Sequence, residues 1–206
     1  MRTIRAVIYD RTCREGGAVG LSHAWWGGVE LYRALGRVDV ARGAASWREA
    51  LEWLVAVEPG ARLAEVQFWG HGRWGEALIN GESLDARALE PMHPLHSALA
   101  AVRDRLMPGG SALWWFRTCQ TFGAQRGHDF ARAWASFFRC PAAGHTYIIH
   151  AWQSGLHRLA PGTRPDWSDR EGLAVGTPER PVRSATSGPL APRTITCLHG
   201  RVPEGW

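Results

Sequence analysis

Ala64-Glu65-Val66-Gln67-Phe68-Trp69-Gly70-His71-Gly72 and Ala112-Leu113-Trp114-Trp115-Phe116-Arg117-Thr118-Cys119 decide the fold. Each is an apolar, aromatic-rich run of strand length that delivers a reactive side chain at its end. In a parallel sheet the carboxyl ends of the strands point the same way. Loops leaving adjacent strands therefore meet at one edge, even when 48 positions separate their residues. His71 and Cys119 are thereby the candidate dyad. Read as a strand, the second run sends Trp114 and Trp115 to opposite faces, so both faces of the sheet are expected to be covered.

Working outward, residues 3 to 9 are rich in Ile, Val and Tyr and read as a first strand buried on both faces. Residues 11 to 28 read as a long glycine-bearing loop holding Gly16-Gly17, Gly20, His23, Trp25-Trp26 and Gly27-Gly28, with a short helix over 29 to 35. Ser46 is an N-cap for a helix from Trp47 to about Val57, with Glu49 at the capping-box position and Leu51, Trp53, Leu54 and Val57 inward. Residues 73 to 83 form a loop or hairpin around Asn80-Gly81, and a helix lies within 84 to 107, its centre at Pro94 to Leu106. A helix over 128 to 138 and a strand over 146 to 152 follow. Alternating strands and helices at this spacing predict an α/β fold, a mostly parallel central sheet flanked by helices on both faces. Beyond Leu159 the pattern dissolves into Pro and Gly, with one late strand candidate at 194 to 198. The whole of 1 to 206 reads as one domain, with a core over about 3 to 155 and an extended wrap over 156 to 206.

Composition bounds the chemistry. The four cysteines (Cys13, Cys119, Cys140, Cys197) are widely spaced and read as reduced thiols. The basic start is followed by too short an apolar run for a signal peptide, and no run approaches membrane-spanning length, which predicts a cytoplasmic protein with no membrane partner. The net charge of +5 permits a nucleic-acid partner, but it is carried almost wholly by dispersed arginines with no basic tract, so it is weak support and no nucleic-acid partner is expected. Cys140 with His145, Cys197 with His199 and His93 with His96 have chelating spacings. None makes the paired Cys-x-x-Cys pattern of a zinc site, so no metal is assigned. Phosphate-cradling glycine motifs are absent, and no cofactor is expected.

The strand ending in Phe68-Trp69-Gly70-His71-Gly72, followed by the strand ending in Cys119-Gln120-Thr121-Phe122-Gly123, resembles the caspase-like cysteine peptidases. That group includes caspases, metacaspases, gingipains and the bacterial CHAT-type proteases, and the Cys-x-Thr-x-Gly stretch is most similar to the CHAT type. The resemblance covers roughly residues 3 to 155. It implies a caspase-like three-layer sandwich and a cysteine endopeptidase acting on a protein or peptide substrate. His71 and Cys119 would be catalytic, and the backbone N–H groups of Gly72 and Cys119 would form the oxyanion hole. Trp152 and Ser154 would line the substrate groove. Arg117-Thr118 stands where the CHAT type has small residues.

Arg117 lies two positions before the cysteine, where the resembling families line the P1 pocket. An arginine there favours an acidic P1 residue through a bidentate carboxylate contact. The competing reading pairs Arg117 internally with Asp129, Asp166 or Asp169, and in that case Asp166 and Asp169 would turn the pocket toward Arg or Lys. Core packing is the ordinary role for Trp152, and His23 and Trp25 are within sequence reach of the same edge. Two other functions compete with catalysis: a catalytically silent domain that binds a peptide or protein partner, and an arginine-rich binder that stacks bases on its tryptophans.

Overall fold

The computed structural model describes residues 1–14 and 20–206. Its centre is a six-stranded sheet in which β1 (Thr3–Asp10) lies between β2 (Val40–Ala44) and β3 (Arg62–Trp69). The sheet continues through β7 (Leu113–Arg117) and β8 (Ala142–His145) to β10 (Leu156–Leu159). The first five strands run parallel, and β10 is antiparallel to β8. Winding reverses at β1, because β2 lies on one side of it and β3 on the other.

The two tryptophans of β7 fall to opposite faces as expected, and both are fully buried. Trp114 packs with α2 (Trp47–Ala56), α3 (His96–Arg105) and α4 (Ala124–Phe138) in the larger core. The other face is covered by α1 (Leu21–Ala34) against Val7 and Trp69, and by the C-terminal segment, whose Ile195 packs on Trp115. Helix α2 matches its sequence signature. The Ser46 side chain accepts from Glu49 N–H at 3.1 Å, while the Glu49 carboxylate accepts from Ala45 N–H at 2.9 Å, one residue earlier than a capping box requires. The expected turn at Asn80-Gly81 joins β5 (Glu76–Ile79) to β6 (Glu82–Asp85), with φ positive at both residues. Residues 84 to 107 are shorter in helix than expected: they hold the end of β6, a 3-10 turn at Ala86–Leu89, and α3.

Three expectations are corrected. Residues 21 to 28 belong to helix α1, not to a loop; Gly16 and Gly17 of that expected loop lie outside the described residues. Gly28 is where α1 meets β3, since a Cβ there would stand 2.9 Å from the Trp69 ring, so the glycine marks close packing and not a turn. The strand placed at 146–152 is instead β8, which precedes it; only Trp152–Gln153 forms a short strand, β9, paired with β13 (Ile195–Thr196). Ala142-Ala143-Gly144 carries little strand signal, yet its small size is required: a Cβ on Gly144 would collide with the Phe122 ring. Finally, the C-terminal wrap contains a hairpin of β11 (Leu173–Gly176) and β12 (Pro181–Ser184). Among the described residues no helix is long and apolar enough to cross a membrane.

Candidate functional site

Register sets the segments that hold the two expected residues side by side. Trp69 in β3 is the Cα partner of Arg117 in β7, and each ends its strand, so the segments carrying His71 and Cys119 leave neighbouring parallel strands at the same level. Gly70 turns the chain into β4 (His71–Arg73), which folds back on β5. Gly72 then lies directly on the loop after β7. A Cβ at this position would clash with Thr121 Oγ1 and with Thr118, so glycine is what lets the histidine loop and the cysteine loop touch.

The side chains, however, are engaged elsewhere. His71 is half-buried, and its Nε2 lies 3.1 Å from the Sγ of Cys13, which follows the end of β1. The Trp25 ring meets the imidazole edge-on at 5.7 Å, as the reach of the first segment allowed; His23 is exposed on α1. Cys119 is half-buried, and its thiol points at the Ile149 carbonyl at 3.9 Å. Burial pushes this thiol up, and backbone hydrogen bonds from Ile149 and its own amide only partly offset that. Helix α4 begins at Ala124, four residues earlier in the chain than the expected start at His128.

Arg117 is buried, at 5% exposure, and none of the three expected carboxylates holds it. Nε and Nη2 donate to Gln153 Oε1 at 3.2 and 2.8 Å, Nη1 to Tyr32 Oη at 2.5 Å, and Nη2 also to the Cys197 carbonyl at 2.9 Å. The guanidinium carbon sits 4.5 Å from the Trp115 ring centre and 5.3 Å from those of Tyr32 and Trp69. Asp129 pairs with Arg132 and Asp166 with Arg193, and the Arg117 guanidinium spends its donors on Gln153, Tyr32 and the Cys197 carbonyl, with no ion pair to Asp169 among the described residues. Burial lowers its pKa, with Tyr32 the largest offsetting influence. A ladder along β3 steadies the cage: Gln67 donates to Glu65 at 2.7 Å, and the Trp69 indole donates to Gln67 at 2.8 Å.

Trp152 is 42% exposed, which overturns the core-packing reading of this residue. Ser154 is fully buried, its hydroxyl donating to the Gly188 carbonyl at 3.2 Å and accepting from Thr194 at 2.7 Å. Its polar contacts thus join it to the C-terminal wrap.

The residues that sequence reasoning missed come from the end of β1. Asp10 is buried, and its carboxylate accepts from Thr12 N–H at 2.7 Å, Thr12 Oγ1 at 2.6 Å and Asn80 N–H at 3.1 Å, tying β1 to the β5–β6 turn. With His71, Gly72, Arg73, Leu78 and Gly81 it lines a cleft of about 340 Å³. The available signal was a first strand ending in Tyr9-Asp10 with Cys13 three residues on, at the same sheet edge. A larger cavity of about 490 Å³, lined by Arg5, Glu65, Arg37, His199 and Arg201 among others, belongs to the amino-terminal half of the strands. Among the described residues no three His, Cys, Asp or Glu converge as a metal site. No family model, curated protein or solved structure matches the chain.

Proposed function

We propose that the protein is a caspase-like cysteine endopeptidase that hydrolyses peptide bonds through an acyl-enzyme, with Cys119 as nucleophile and His71 as its acid–base partner. The observation that supports it is the pairing of Trp69 with Arg117 at the ends of β3 and β7, from which the His71 and Cys119 segments leave side by side, with Gly72 packed on Thr118 and Thr121. In this reading His71 exchanges Cys13 for Cys119 and takes the Cys119 proton. The thiolate then attacks the scissile carbonyl carbon, and the imidazolium gives its proton to the leaving amine. Water, activated by the same imidazole, releases the acid. The N–H groups of Gly72 and Cys119 are the proposed oxyanion donors. An acidic P1 side chain requires Arg117 to give up the Cys197 carbonyl, its contact with the C-terminal segment.

The second reading, a silent domain that binds a peptide or partner, is favoured by the Cys119 thiol, which contacts the Ile149 carbonyl and is pushed up by burial. Mapping cuts in a proteome-derived peptide library with the purified protein and its Cys119→Ala variant separates the two. Cuts that need the thiol are the expected result, with Asp, Glu, Arg and Lys compared at P1. Equal patterns from both proteins would defeat the peptidase reading.

A further inference from the structure

Two thiols follow strands that end at the carboxyl edge of the sheet, and His71 contacts the one the family resemblance leaves without a role. Winding reverses at β1, and α/β sheets open a crevice where the strand order reverses. Cys13 leaves β1 on one side of that crevice and His71 leaves β3 on the other, with Sγ and Nε2 3.1 Å apart. Trp25 walls the imidazole with apolar surface. The cleft lined by Asp10, His71, Gly72, Arg73, Leu78 and Gly81 opens against the same ring, so the pair has both a base and an adjoining space for a small molecule.

We propose that Cys13 is a second nucleophilic thiol of this site, with His71 as its base, and that it captures a small carbon electrophile entering the cleft. The Cys13 proton passes to His71 Nε2, and the sulfur electron pair forms the new C–S bond. The bond to the leaving group breaks, and its electron pair departs with that group. A haloacetamide loses halide and leaves the proton on the imidazolium. A small thioester or activated ester loses a thiol or alcohol, which takes the proton and leaves the acyl group on Cys13. The inference shares His71 with the peptidase reading but does not require any peptide to be cut.

The test is limiting iodoacetamide labelling of the full chain at neutral pH, with the rate at each of the four cysteines read by peptide mass mapping. Cys140 is the internal control, since it too is buried, at 1% exposure against 8% for Cys13, and its thiol is pushed up to about 12 by burial. In the unaltered protein Cys13 is expected to outpace Cys140 by roughly tenfold or more, because the thiolate is the reacting species. His71→Gln is expected to remove most of that advantage while leaving the rates at Cys140 and Cys197 within about twofold. Cys13 reacting no faster than Cys140 in the unaltered protein would overturn the proposal without any variant. So would a His71-dependent rate at Cys119 alone. Because labelling needs no peptide turnover, an absence of cuts in the library would sink the peptidase reading and leave this one standing.

Discussion

His145 shows what a single residue pays for a place in this sheet. It is fully buried beside β10, its Nδ1–H donates to the Ser154 carbonyl at 3.2 Å, and its Nε2 has no hydrogen-bond partner among the described residues. Burial, with the nearby Arg117 cation adding to it, lowers its pKa from 6.5 to about 3. The folded value lies below the unfolded one, so the unfolded chain binds the extra proton between them. His145 therefore contributes its full share of stability above pH 6.5 and loses it as pH falls toward 3, at about 1.4 kcal/mol per pH unit within that window. Urea unfolding of the protein and of His145→Leu across this range is expected to give a shallower acid limb in the variant. Parallel limbs would show that His145 does not titrate on unfolding in this way. Cys119 and Cys13 differ in the same way: one thiol points at a carbonyl, the other at an imidazole, a difference set by distant parts of the chain and not by local sequence.

At the scale of elements, the adjacent glycines of α1 make opposite predictions. A Cβ on Gly27 meets nothing within 4 Å, whereas one on Gly28 meets the Trp69 ring at 2.9 Å. Gly27→Ala is expected to raise stability by about 1 kcal/mol through helix propensity alone. Gly28→Ala is expected to lower it by roughly 1–3 kcal/mol, because Trp69 is held by Arg117 and Tyr32 and cannot move freely. Thermal unfolding of the two variants checks both signs, and equal shifts would contradict the packing described. The pair also explains why this helix was illegible: local chemistry reads Gly-Gly as loop, and only the partner ring makes it helix–strand contact. β8 was hidden for the same reason, since Ala-Ala-Gly becomes a strand only because Phe122 needs the space. β1, β3, β7 and α2 were legible because their signals, apolar strand runs and an N-cap serine, do not depend on distant partners.

Across the whole molecule, a mostly parallel sheet covered on both faces was foreseen, and so was the departure of the His71 and Cys119 segments from the carboxyl ends of neighbouring strands. Direct partners were not. Arg117 found Gln153, Tyr32 and a carbonyl from the far end of the chain in place of a carboxylate, a closure that depends on how the C-terminal segment returns over Trp115. Cys13 reached His71 across the reversal at β1, which strand spacing alone does not reveal. At this edge the imidazole contacts the Cys13 thiol, and the peptidase account holds that a bound peptide carbonyl brings it to Cys119. The most direct measurement is intact-protein mass spectrometry after treatment with a peptidyl ketone electrophile, with the adduct site mapped in the unaltered protein and in His71→Gln. The account predicts a single peptidyl adduct on Cys119 that is largely lost without the imidazole. An adduct at Cys119 that forms equally well in His71→Gln, or none at Cys119 in either protein, would contradict it.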